Sequence, residues 1–174
     1  MHSRRLFLAA LLALAAGCAG PDRGPRRASD PLPVPGYYVM RHLHTPQGQR
    51  DPDLTAEGQR VAALVPNWFG RERVRVIYVS HFKRTQQTAA PLATRLGLVP
   101  IIYDPADTPG LIARVRAGPR PALIVGHSNT VPEIVAQLGG TRPGPLVHED
   151  FGDIWRIAPD GATVRRPIED TPGM

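Results

Sequence analysis

Short apolar runs alternate with longer stretches of helical periodicity over most of this chain. Tyr37-Tyr38-Val39-Met40, Val74 to Val79 and Ala122 to Val125 are rich in aromatic and β-branched residues, and each predicts a buried strand. Between the first two runs, Val61, Leu64, Val65 and Trp68 recur at i, i+3, i+4 and i+7, one apolar stripe of a helix. Thr55 is placed to cap that helix, and Glu57 suits the positive end of its dipole. A second helix is predicted over 85–96, with Ala89, Ala90, Leu92, Ala93 and Leu96 inward and Gly97 ending it. Val99 to Tyr103 reads as a short strand, Leu111 to Val115 as a short helix, and Thr130 to Leu138 as a helix stopped by Gly139-Gly140. Phe151 to Ile157 and Ala162 to Val164 flank the turn Pro159-Asp160-Gly161, the pattern of a closing hairpin. Strands alternating with helices predict an α/β fold, a three-layer sandwich with a mostly parallel central sheet and helices on both faces.

The N-terminus follows other rules. Met1 to Arg5 is basic, and Leu6 to Ala16 is an unbroken apolar stretch of 11 residues. A membrane-spanning helix needs about 20 such residues, so residues 1–17 read as a signal peptide. Ser3-Arg4-Arg5-Leu6-Phe7-Leu8 resembles a twin-arginine export motif. Ala15-Ala16-Gly17-Cys18 resembles a lipobox, with Ala15 where leucine is usual. Cys18 is the single cysteine, so no internal disulfide can form, and it becomes the candidate lipidation site. Residues 18–36 are rich in Pro and Gly and too poor in large apolar groups to repay their ordering entropy, which makes them a tether. The folded domain is expected over 37–168, with 169–174 a disordered tail. The expected location is exported and periplasmic, with the membrane reached through a lipid on Cys18.

Charge narrows the function. Arg4 and Arg5 fall in the leader, so the rest of the chain carries +4 of the +6 formal charge, almost all of the positive side being arginine. No basic run with interleaved aromatics is present, so a nucleic-acid partner is not indicated. The three apolar strands end in Arg41-His42, in Ser80-His81-Phe82-Lys83-Arg84 and in Gly126-His127-Ser128. Open α/β sheets bind ligands at the carboxyl ends of their strands. Three strand ends that bring Arg41, His42, Arg84 and His127 there predict a site for an anion.

Arg41-His42 with Thr45, then Leu54-Thr55-Ala56-Glu57-Gly58, then Ser80 with Arg84-Thr85 and Gln87-Thr88-Ala89, then Gly126-His127, resemble the histidine phosphatase superfamily. This is the phosphoglycerate mutase-like fold group, and the resemblance is nearest its short phosphohistidine-phosphatase-like members. It implies a phosphoric monoester hydrolase whose nucleophile is His42, forming a phosphohistidine that water then cleaves. It further implies that Arg41 and Arg84 hold phosphate oxygens, that His127 donates to them, and that no metal or other cofactor is needed. Thr45, His81 and Ser128 are the candidate substrate-binding residues beside this set. The expected partner is a small phosphorylated substrate.

Two positions depart from the family pattern. Leu43 and His44 follow the nucleophile where Gly and often Glu are usual, and Leu43 is expected to narrow or reshape the pocket. The proton donor for the leaving group is Asp104, at the end of a short strand, with Asp107, Glu149 and Asp153 as other candidates. The alternative function is a non-catalytic anion-binding module on the same fold, or a metal-binding one using His42, His44, His81 and His127. Gly126-His127-Ser128-Asn129-Thr130 lacks the second Gly of a serine-hydrolase elbow. A mutase is disfavoured because Ala90 to Pro121 leaves no room for a large cap.

Overall fold

Residues 35–169 are described in a computed structural model; the predicted leader, Cys18 and nearly all of the tether, and residues 170–174, lie outside the described residues. The elements run β1 (Tyr37–Arg41), α1 (Ala56–Phe69), β2 (Val76–Ser80), α2 (Lys83–Leu96), β3 (Ile101–Tyr103), α3 (Thr108–Ala117), β4 (Ala122–Gly126), α4 (Val131–Gln137), β5 (Asp153–Ile157) and β6 (Thr163–Pro167). One six-stranded sheet has the order β3-β2-β4-β1-β5-β6. The pairs β1–β4, β2–β4 and β2–β3 are parallel, and β5 and β6 add an antiparallel edge. No described helix is long and apolar enough to cross a membrane.

The predicted three-layer α/β sandwich is what forms. On one face Tyr38, Met40, Ile77, Val79, Leu123 and Val125 pack with Val61, Val65 and Phe69 of α1 and Leu92 of α2. On the other, Tyr37, Val39, Tyr78 and Ile124 pack with Leu111 and Val115 of α3 and Ile134 of α4. The alternation of side chains along each strand explains the unbroken apolar runs, since both faces are covered.

The stripe of α1 sits one residue further round than its periodicity predicts. Phe69 is buried, whereas Leu64 and Trp68 lie at the margin of the core. An indole carries a donor that needs a partner, and Trp68 Nε1 finds the Pro167 carbonyl at 3.1 Å. At the start of the helix Thr55 accepts the Gly58 amide at 3.1 Å, and at the end of α2 Gly97 takes φ 64°. Gly36 already bonds to the sheet, donating to Ile157 O and accepting from Ala122 N. At the other end Glu169 pairs with Arg60 at 2.6 Å.

The crossovers place the site. The chain leaves β1 through α1 toward β2 on one side, and leaves β4 through α4 toward β5 on the other. β1 and β4 are neighbours, with Arg41 opposite Gly126. Their carboxyl ends therefore flank the crevice where strand order reverses, which is where α/β sheets bind ligands.

Gly58 holds the segment after β1 against α1. A Cβ there would meet the His44 carbonyl oxygen at 2.5 Å, and backbone cannot swing aside as a flexible side chain can. Gly58→Ala should cost roughly 1–3 kcal/mol in urea unfolding, although alanine is the better helix former. A neutral or stabilising result would show that this contact relaxes freely.

Candidate active site

His42 and His127 follow directly from β1 and β4. The His42 amide donates to Gly126 O at 2.9 Å, which carries the strand pairing one residue beyond the ladder. The two imidazoles come to 5.4 Å between ring centroids. Arg41, His42 and His127 are only 6%, 5% and 6% exposed, so the site concentrates polar groups in a largely water-free wall.

His42 Nδ1 lies 2.8 Å from its neighbour's carbonyl, Leu43 O. A carbonyl only accepts, so Nδ1 carries the proton and Nε2 carries the lone pair. Burial pushes the His42 pKa down to about 3; the Leu43 hydrogen bond opposes this, and His127, Arg41 and Arg84 add to it. His127 falls to about 4, through burial first and then Arg84, His81 and Arg41. Both rings are neutral at pH 7. His127 Nε2 bonds Ser80 Oγ at 3.0 Å, and Ser80 Oγ is in turn 3.0 Å from Thr85 Oγ1. His127 Nδ1 is buried without a hydrogen-bond partner.

Arg41 is anchored on one edge only. Its Nη1 donates to the carbonyls of Val147, His148 and Asp150 at 2.6, 3.2 and 3.2 Å, and its guanidinium lies 4.1 Å over the Phe151 ring. Its Nε is buried and unpartnered. Burial lowers the Arg41 pKa, Asp150 opposes that and Arg84 adds to it; the group remains a cation. Arg84 lies 4.2 Å over the Phe82 ring and reaches Arg50 O at 3.3 Å, with Asp51 at 3.8 Å. Burial lowers its pKa as well.

The remaining motif residues tie these pieces together. Thr88 Oγ1 accepts the Leu43 amide at 3.0 Å and donates to Arg84 O at 2.7 Å, joining the segment after β1 to α2. Gln87 accepts the Leu54 amide at 2.8 Å and donates to Asp53 at 2.7 Å. Leu43 does not narrow the pocket, contrary to the sequence expectation. With its amide held by Thr88, its side chain is fully buried in the core beside Met40 and Leu54.

The other candidates are more scattered. Thr45 is half-buried on the loop after His44. His81 is exposed, with its ring 4.2 Å from Phe82. Ser128 is half-buried and lines a cleft of about 360 Å³ with Asn129, Pro132, Arg142, Pro145 and Leu146. Asp104 is exposed and closes a turn onto the Ala106 amide at 2.9 Å, and Asp107 caps α3 through Gly110 N at 2.9 Å. Asp153 is paired with Arg165 at 2.5 Å. Of the four carboxylates proposed from sequence, Glu149 is the one whose charge acts on a pocket residue, Arg41. Asp150 does the same and was not foreseen. Phe151 and Phe82 were also missed; Phe82 lay in view inside the Ser80–Arg84 block, whereas nothing local marks Phe151. Among the described residues no three His, Cys, Asp or Glu side chains are disposed to hold a metal ion.

Comparison with known proteins agrees with this geometry. Residues 37–106 match the family profile described as the histidine phosphatase superfamily (branch 1). That match takes in Arg41, His42 and Arg84 and stops short of His127. No curated protein matches the chain in sequence. The fold is that of the protein histidine phosphatase SixA solved with tungstate, at 19% identity and TM-score 0.54 over 75% of this chain and 93% of that one. A Nakamurella multipartitia protein described as the phosphohistidine phosphatase SixA gives 22% identity and TM-score 0.52, over 79% of this chain and 96% of that one. The mycobacterial glucosyl-3-phosphoglycerate phosphatase gives 16% and 0.59, over 75% and 96%.

The depressed imidazole pKa values have a consequence for stability. In the unfolded chain both histidines take up protons below about 6.5, whereas the folded chain resists until about 4 for His127 and about 3 for His42. Their contribution is therefore complete above pH 6.5 and is lost as pH falls toward 4, at roughly 1.4 kcal/mol per pH unit for each histidine. Urea unfolding should lose roughly 4 kcal/mol from this source between pH 7 and pH 5, and His127→Gln should about halve that loss. Equal pH dependence in wild type and variant would contradict the assignment.

Proposed function

We propose that the domain is a metal-independent phosphatase working through a covalent phosphohistidine on His42. One observation carries the reading: His42 presents an unprotonated Nε2 in a site where Arg41 Nε and His127 Nδ1 are buried with no partner. An unpaired buried donor costs about 1–3 kcal/mol, and a phosphoryl oxygen accepting from it returns that cost on binding. Thr85 Oγ1 gives its proton to backbone carbonyls, so Ser80 donates to Thr85 and accepts from His127 Nε2; on protonation, the unpartnered Nδ1 of His127 becomes a further donor to the same oxygens. Arg41 and Arg84 supply the positive charge that a transferring phosphoryl group requires.

The chemistry divides into two displacements. His42 Nε2 forms an N–P bond as the P–O bond to the leaving group breaks, and a carboxylic acid protonates the departing oxygen. Water then forms a P–O bond as the N–P bond breaks, and its proton returns to that carboxylate. Glu149 takes this acid–base role in place of Asp104, because the 147–151 loop is held against Arg41 and Asp104 is committed to its own turn. The substrate is a small phosphomonoester or a phosphohistidine. The basic, apolar and small-residue pattern up to Cys18 supports export, with the domain held in the periplasm by a lipid on that cysteine.

His42→Ala should abolish release of phosphate from an aryl phosphate in a folded protein; retained turnover would exclude a His42 intermediate. An acid matters most when the leaving group is poor. Glu149→Gln should therefore slow an alkyl phosphomonoester by about 10²–10⁴-fold and an aryl phosphate far less, with Asp104→Asn sparing both. The reverse pattern would return the role to Asp104. Mass spectrometry of the mature protein should find its N-terminus at an acylated Cys18, and an unmodified cysteine would remove the anchor.

A further inference from the structure

The end of the sheet opposite the histidines carries a second concentration of charge. An open cleft of about 1010 Å³ lies there, and its lining includes Arg71, Glu72, Arg73, Arg75, Arg95 and Arg120. These residues come from the segment between α1 and β2, the last turn of α2, and the approach to β4. Glu72 is taken by Arg156 at 2.8 Å, so it does not offset its neighbours. Arg120 is partly committed, stacking 4.9 Å over Tyr37 and donating to Arg116 O at 3.1 Å. Among the described residues Arg71, Arg73, Arg75 and Arg95 have no acidic partner within ion-pair distance, and all four are exposed.

The carboxyl ends of α1 and α2 meet this region, and arginines there could simply answer the helix dipoles. Each dipole amounts to about half a negative charge, so two ends account for roughly one guanidinium. At least three are left over. Beside the cleft-lining Leu98, Val99 is 88% exposed, an apolar side chain at the rim of a basic surface.

The same pole is where the chain enters the domain. Gly36 O accepts the Ala122 amide at 3.2 Å, and the adjacent Pro121 accepts the Arg75 amide at 2.8 Å. Gly36 thus lies beside the arginines, and the histidines occupy the other end of the strands. We infer that this arginine-rich pole docks on an anionic lipid surface, with the catalytic crevice facing away from it. Charge supplies the complementarity, and the lipid proposed on Cys18 would reach the domain through Gly36 on this same face. The inference concerns vesicle binding and stands apart from hydrolysis.

The test is flotation of the full chain with phosphatidylglycerol–phosphatidylcholine vesicles and with phosphatidylcholine alone. The apolar leader contributes to both, so the readout is the anionic-over-neutral preference. A guanidinium near an anionic leaflet is worth roughly a fivefold gain, so Arg71→Gln/Arg73→Gln/Arg75→Gln should lower that preference about 100-fold at low salt. Raised ionic strength should erode the wild-type preference in the same direction. The variant should keep its thermal midpoint and its aryl-phosphate turnover, since none of the three residues touches the site. Equal binding of wild type to both vesicles, or an unchanged preference in the variant, would overturn the inference. So would full release from anionic vesicles by stoichiometric glycerol phosphate, which would mark a pocket for a small soluble anion instead.

Discussion

The hydrogen bond from the His42 amide to Gly126 O, at 2.9 Å, is the contact on which the rest of the site depends. It prolongs the β1–β4 pairing past the last ladder residue, so both histidines inherit the rigidity of two buried central strands. A site built on loops alone could bring two imidazoles near one another, but not hold them buried beside two guanidiniums that repel each other. Here the cost of gathering these groups is met by strands buried on both faces and by a second tier of bonds. Thr88 fixes Leu43, Gln87 fixes Leu54, and Ser80 fixes His127. The motif residues between Ser80 and Ala89 thereby acquire distinct tasks. Few of them face a substrate; most keep the histidines and Arg84 where they are.

Burial does more than position the histidines. An exposed imidazole would be partly protonated near neutrality and would be a poorer nucleophile for that fraction of time. With the water removed and cations alongside, protonation is deferred to about 3 for His42, so the lone pair on Nε2 persists across the physiological range. The same desolvation strengthens every interaction with an incoming anion. The Leu43 carbonyl completes the arrangement by holding the proton on Nδ1.

How much of this was legible in the sequence follows from how far each signal reaches along the chain. The convergence of Arg41, His42 and His127 could be read because each lies at the end of an apolar run, which says where the side chain will emerge, and Arg84 could be read from the block that follows the second run. The layers were readable for the same reason. Leu43 was misjudged because position after the nucleophile says nothing about which way the chain turns; the Thr88 bond that turns it comes from another element. Trp68 and Phe69 differ by one position in a periodic stripe, and only the demand of the indole for an acceptor decides between them. Phe151 and the Asp150 carboxylate were out of reach, and Glu149 could be named only as one of several loop carboxylates. They belong to a loop with no periodicity, brought home by three carbonyls that accept from Arg41.

Arginine is used in two physical ways at the two ends of one sheet. At the carboxyl end Arg41 is buried and Arg84 half-buried, and they are stacked on Phe151 and Phe82 and restrained by carbonyls. Guanidiniums so held have few orientations left, and they select an anion by shape. At the amino end Arg71, Arg73, Arg75 and Arg95 are exposed and free of acidic partners among the described residues, so they attract by net charge and hold no fixed geometry. The first arrangement suits a phosphoryl group that must be aligned with His42 Nε2. The second suits a surface with many equivalent charges and no required register. Separating the two across the length of the strands keeps the broad attraction of one pole from competing for the substrate of the other.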